Sequence, residues 1–159
     1  MSHAFERHDH LDCVRGLVAT AESRCAELGL KLTPLRRRVL EILLERHQAM
    51  GAYDVLARLQ AENLGAHPPV AYRALEFLVA NGFAHKLERL NAFVACVCPD
   101  AGHRPAFLIC RNCMAVAEAD AEAVAAALDG AAAAAGFQIE AAAVEAEGLC
   151  PGCRSTAAL

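Results

Sequence analysis

Residues 68–96 read PPVAYRALEFLVANGFAHKLERLNAFVAC, and the hydrophobic period changes inside this stretch. Pro68-Pro69 opens a helix, because a proline in the first turn gives up no intrahelical hydrogen bond. Ala71, Leu75 and Leu78 or Val79 recur at three- and four-residue spacings and face inward as far as about Ala80. Asn81-Gly82 stops the helix, since both residues tolerate the left-handed conformation. From Phe83 to Glu88 and from Asn91 to Cys96 the pattern alternates across a short Arg89-Leu90 connection, which predicts a β-hairpin.

Three more helices precede it. Gly51 leads into a short one, about Ala52 to Glu62, with Val55, Leu56 and Leu59 inward. Thr33-Pro34 starts another, Thr33 as cap and Pro34 in the first turn, running to about Arg46 over Leu35, Val39, Ile42 and Leu43. The first spans about Leu11 to Leu28 and ends at Gly29; its Cys13 and Cys25 read as small packed thiols. Three helices and a hairpin make a winged helix-turn-helix. That fold sets the Pro69–Ala80 helix in the DNA major groove and the hairpin beside the backbone. Helical cores with the same spacing also occur without DNA, so charge is a second clue.

The net charge of −4 argues by itself against nucleic acid. Its distribution says more: residues 1–90 hold 12 Lys/Arg against 11 Asp/Glu, whereas residues 91–159 hold 3 against 8. If DNA is a partner, the first part touches it. Arg36, Arg37 and Arg38 cluster at one helix start, as either a solvated face or a set of phosphate contacts.

Beyond the hairpin the chain changes character. Phe107 to Cys110 and Met114 to Glu118 read as short strands around a tight turn. An alanine-rich helix follows from Asp120, its cap, to about Ala135, stopped by Gly136, and Phe137 to Glu147 reads as a long strand. The predicted fold class is α+β. It comprises an N-terminal winged helix-turn-helix DNA-binding domain with a leading helix, residues 1–89, and a small α/β domain, residues 90–159.

Cys110-x-x-Cys113 and Cys150-x-x-Cys153 are separated by 36 residues. Each turn presents two thiolates to one ion, and two turns complete the tetrahedron of a closed structural zinc site. With all four positions taken by cysteine, no place remains for a catalytic water. His85, Cys96, His103 and Glu118 are four more metal-capable side chains near the domain boundary. Each also has an ordinary reading, His85 as a surface histidine and Glu118 as a solvated carboxylate. Together they would suit tetrahedral zinc and would suit magnesium or calcium poorly. Cys98 is a competing ligand, or else a free thiol.

Several classes are excluded or disfavoured. No apolar stretch approaches the roughly 20 residues of a membrane span. Met1 to Asp12 is polar and histidine-bearing, not a signal peptide, so the expected location is cytoplasmic. His3, His8 and His10 read as part of a polar terminus. Eight cysteines in a reducing compartment point to metal before disulfides. No phosphate loop or nucleophile elbow occurs, and an enzyme with a small-molecule substrate is not expected. A zinc enzyme at the mixed ligand set is disfavoured because four protein ligands leave no open position.

The chain resembles the ferric uptake regulator family, and within it the zinc uptake regulator branch. The matching stretches are Leu32-Thr33-Pro34-Leu35-Arg36, Ala52-Tyr53-Asp54, Pro68-Pro69 with Tyr72-Arg73-Ala74-Leu75, and Gly82-Phe83-Ala84-His85-Lys86. Ile109-Cys110-x-x-Cys113, Glu118 and Gly148-Leu149-Cys150-x-x-Cys153 complete the set. The resemblance implies a homodimer, formed through the second domain by its long strands, on palindromic double-stranded operator DNA. It also implies two zinc ions per protomer, the sensory one held by His85, Cys96, His103 and Glu118. Tyr53, Tyr72 and Arg73 match positions the family uses for DNA; Arg36 and Arg37 are weaker candidates for backbone contact. Iron- and peroxide-responsive relatives carry a His-His-Asp-His stretch where this chain has only His103 before Cys110. A manganese, iron or peroxide sensor is therefore the alternative within the family. One departure is Val70-Ala71, where the family has a hydroxyl residue and then valine.

Overall fold

The computed structural model describes residue 5 and residues 10–65, 67–97 and 104–156. They divide into two compact units, one within 6–101 and one beyond 102 that also takes in Phe5.

The first unit contains α1 (His10–Glu27), α2 (Pro34–Leu44), α3 (Ala52–Ala61), α4 (Pro68–Ala80), β1 (Ala84–Leu87) and β2 (Ala92–Ala95). Thr33 caps α2 through its side-chain oxygen, which accepts from the Arg36 N–H at 3.3 Å, and Pro34 occupies the first turn. α4 begins at Pro68 and ends where Asn81 Nδ2 donates to the Phe77 carbonyl and Gly82 takes φ +74°. Val39, Ile42, Leu43, Val55, Leu59, Leu75, Leu78 and Phe83 are almost wholly buried and close the helices on one another. Burying a side chain of this kind contributes about 1.5–3 kcal/mol.

β1 and β2 form the expected antiparallel hairpin, with His85 opposite Val94. An isolated bridge ties it to the helices: Met50 and Phe93 exchange both backbone hydrogen bonds, at 2.9 and 2.8 Å. A boundary at residues 89/90 would divide this hairpin. The compact unit keeps both strands, because Phe93 and Ala95 belong to the helical core.

A charge lattice joins α2 to α3. Arg38 grips Glu62 with two bonds of 2.7 and 2.8 Å and donates to Glu41 and Glu45 at 3.0 Å each. Arg58 closes it on Glu45 at 2.7 Å.

The second unit contains β3 (Pro105–Cys110), β4 (Val116–Asp120), α5 (Glu122–Ala134), β5 (Val144–Gly148) and a short α6 (Pro151–Thr156). β3 lies between β4, antiparallel to it, and β5, parallel to it, so α5 serves as the crossover that a parallel pair requires. Phe107, Ile109 and Val116 share one buried face of this sheet. α5 buries none of its own side chains. The expected helix start and cap at Asp120 are corrected: Asp120 is the last residue of β4 and Ala121 is the N-cap of α5, while the Asp120 Oδ1 accepts from the Glu122 N–H at 2.9 Å just ahead of the helix.

The long strand expected from Phe137 to Glu147 is corrected to the five residues of β5. The register gives the reason. Val144 pairs with Ala106, so the next residue back, Ala143, would come opposite Pro105, the first residue of β3, which has no N–H to offer a ladder.

Candidate metal centre and nucleic-acid interface

The turn after β3 and the turn after β5 are neighbours because their strands are. Cys110 pairs with Gly148, and the Arg111 N–H donates to the Gly148 carbonyl at 2.9 Å. Met114, at φ +60°, folds the first turn back, its N–H reaching the Cys110 carbonyl at 2.9 Å. Cys110, Cys113, Cys150 and Cys153 thereby present four sulfurs that all lie within 4.8 Å of one another.

The separation discriminates. A tetrahedral ion with metal–sulfur bonds of about 2.3 Å has edges of about 3.8 Å between sulfurs. The Cys113 and Cys150 sulfurs are 3.8 Å apart, and all four cysteines are free thiols. Backbone N–H groups of Cys113 and Cys150 pull the Cys110 thiol down to about 6, against the effect of burial. The Ala115 N–H draws Cys113 the same way, but burial and the sulfurs of Cys110, Cys153 and Cys150 outweigh it and push that thiol up to about 12. One thiolate forms readily; a second close by is opposed unless a cation joins them. Four soft sulfurs at this spacing fit zinc.

The other metal-capable residues are described unit by unit. In the first unit, Cys96 lies two residues past Val94, which makes it the diagonal neighbour of His85 on one face of the hairpin. A ring nitrogen of His85 and the Cys96 sulfur lie within 4.8 Å. Cys96 is 3% exposed, and its N–H donates to the Phe83 carbonyl at 2.9 Å. In the second unit, Glu118 sits half-buried on β4 opposite Phe107. His103, Cys98, His3 and His8 lie outside the described residues.

The exposed face of α4 carries Tyr72, Arg73 and Glu76. Arg73 forms no hydrogen bond or ion pair among the described residues, which leaves its guanidinium available. Tyr53, on α3, is 72% exposed and meets Tyr72 edge-to-face at 6.5 Å. Both rings line a groove of about 620 Å³ with Glu76, Lys86 and Asn91. These last three were not singled out from the sequence; for Glu76 the signal was available, one helical turn from Tyr72. Arg36 and Arg37 are used within the fold. Arg36 lies over the Phe77 ring and donates to the Lys31 carbonyl at 2.7 Å, while Arg37 pairs with Glu22 and Glu41.

A family model described as the ferric uptake regulator family matches residues 27–147, from the end of α1 to within β5. The chain belongs to the ferric uptake regulator family. Among its relatives, the zinc uptake regulation protein of Escherichia coli is 41% identical over 138 residues, 86% of this chain and 81% of that protein. The chain also resembles a solved structure of a zinc uptake regulator complexed with zinc and DNA. That match has a TM-score of 0.88 and 39% identity, and covers 92% of this chain and 98% of the other. Holo XcZur aligns with a TM-score of 0.81 and 41% identity, over 88% and 98% of the two chains. The chain is a winged helix-turn-helix followed by a small α/β domain, as the sequence predicts, and it shares its fold with these solved structures.

Proposed function

We propose that this protein is a zinc-responsive transcriptional repressor that binds palindromic operator DNA as a homodimer and controls zinc uptake genes. One observation carries the reading. A winged helix whose α4 presents exposed Tyr72 and Arg73 is joined to a four-sulfur cluster with zinc spacing, in a chain 41% identical to a zinc uptake regulation protein.

Cys110, Cys113, Cys150 and Cys153 would hold a structural zinc. Their thiolates fasten the turn after β3 to the turn after β5. His85, Cys96, His103 and Glu118 would hold a second, sensory zinc, giving two per protomer. When bound, zinc supplies a dication that needs deprotonated thiolate, imidazole and carboxylate donors together. His85 and Cys96 come from the wing, and His103 and Glu118 from the chain that follows. Ligation by both pairs restricts the conformations open to the chain and favours the one that fits the operator. Arg73 reads a base, guanine by the geometry of its fork, and Tyr53 and Tyr72 touch phosphate or a thymine methyl. A two-fold dimer presents two α4 helices to two half-sites.

The protein is not an enzyme in this reading, since four protein ligands at each site leave no position for a reacting water. It acts in the cytoplasm, where the operator is; no helix among the described residues is long and apolar enough to cross a membrane. A thiolate in the sensory set and the single histidine, His103, in the segment 102–108 favour zinc over iron or manganese. The test compares operator binding with zinc, iron and manganese supplied in turn to protein already loaded at the four cysteines. A response to zinc alone supports the reading, and a stronger response to iron or manganese overturns it.

A further inference from the structure

The sulfurs of the four-cysteine cluster differ in what donates to them. Cys110 Sγ accepts from the Cys150 backbone N–H at 3.4 Å, and Cys150 Sγ from the Cys153 backbone N–H at 3.4 Å. Those donors are fixed by the strand ends and the turn. Cys153 Sγ accepts from a side chain: Asn112 Nδ2 stands 3.3 Å away, reaching from the first Cys-x-x-Cys turn to the second.

An N–H donor on a metal-bound thiolate withdraws electron density from the sulfur. It lowers the sulfur's nucleophilicity, and it holds the ligand in the rotamer the metal needs. Cys153 needs this more than Cys110 does. It lies in a six-residue helical turn at the described end of the chain and is half-buried, whereas Cys110 is 1% exposed within the central strand. We propose that Asn112 is a positioning residue of the structural zinc site, whose side-chain N–H holds the Cys153 thiolate and shields it from electrophiles and from loss of the metal. The proposal rests on the reading of the four cysteines as a zinc site.

The experiment uses the full zinc-loaded chain, wild type against Asn112→Ala and Asn112→Asp. Three quantities are followed: zinc release to a chromogenic chelator, alkylation of each cysteine by iodoacetamide mapped by mass spectrometry, and the thiolate-to-metal charge-transfer band after cobalt substitution. Asn112→Ala is expected to release zinc roughly ten-fold faster, to make Cys153 the first cysteine alkylated, and to shift the cobalt band to lower energy. Asn112→Asp keeps the side-chain shape and its capacity to accept in a turn but has no N–H. It is expected to behave like the alanine variant. Full rescue by Asn112→Asp would assign the residue to turn geometry and overturn the proposal, as would unchanged release and an unchanged band in a folded Asn112→Ala. If the wild-type chain itself retains no zinc at these cysteines, the reading of the cluster fails, a result distinct from either of those.

Discussion

Arg36 lays its guanidinium over the Phe77 ring, 3.7 Å from the ring centroid, and so joins the start of α2 to the middle of α4. The relationship makes a residue of an exposed-looking arginine run part of the scaffold. Arg36→Ala should lower stability by about 1–2 kcal/mol, from lost stacking and stem packing. It should leave the salt dependence of DNA binding unchanged. Denaturant unfolding and a salt titration on one operator check both halves; a reduced salt slope with unaltered stability would return Arg36 to the phosphate contacts.

Arg73 behaves oppositely. It has no hydrogen-bond or ion-pair partner to lose among the described residues, so Arg73→Ala should leave unfolding unchanged. It should cost roughly 1–3 kcal/mol of operator affinity and relax preference at one base position per half-site. Competition between the operator and single-base variants measures this. Equal weakening on every sequence would make Arg73 a phosphate contact.

The lattice of Arg38, Glu41, Glu45, Arg58 and Glu62 gives the first unit an acid limit. The Arg38 guanidinium holds the Glu62 carboxyl below the usual carboxylate range. A depressed native pKa means that the unfolded chain binds the proton more tightly. The stabilisation is therefore complete above the unfolded value, about 4.3, and is lost as pH falls through the native one. Glu62→Gln should flatten that acid limb, and Arg38→Met should cost about 1–3 kcal/mol near neutrality by leaving three carboxylates without their shared cation. Thermal melts between pH 3 and pH 7 decide it.

Removing the structural zinc should act on the second unit. Its buried face is small and α5 buries none of its side chains, so the metal's contribution, on the order of 10 kcal/mol in comparable sites, is a large share of the total. Strong chelation, or Cys113→Ser, should unfold residues beyond 102 while the core of Val39, Leu59, Leu75 and Phe83 persists. Hydrogen exchange resolves the two units; equal protection before and after chelation would contradict this.

Much of the fold was legible because local signals agreed with the packing. Pro34 and Pro68 mark helix starts, Gly82 takes the positive φ that ends α4, and the change of period at Phe83 marks the hairpin. The four cysteines were legible because ligand spacing is set by the ion. What escaped depends on partners distant in sequence. The length of β5 is set by Pro105 on the strand beside it. The Met50–Phe93 bridge joins a residue just ahead of α3 to one within β2, a pairing that no periodicity signals. The fate of Arg36 is decided by Phe77, 41 positions away.

The central claim is that occupancy of a second zinc site controls DNA binding. The direct measurement is operator affinity at fixed salt as free zinc is raised, on protein already loaded at Cys110, Cys113, Cys150 and Cys153. The account predicts a steep gain, reflecting a preference of about 5 kcal/mol for the competent conformation if the switch is near complete. It also predicts an equal gain in zinc affinity when operator is present, both lost in His85→Ala and Cys96→Ala. Tight operator binding that is indifferent to free zinc, or unchanged in those two variants, would contradict it.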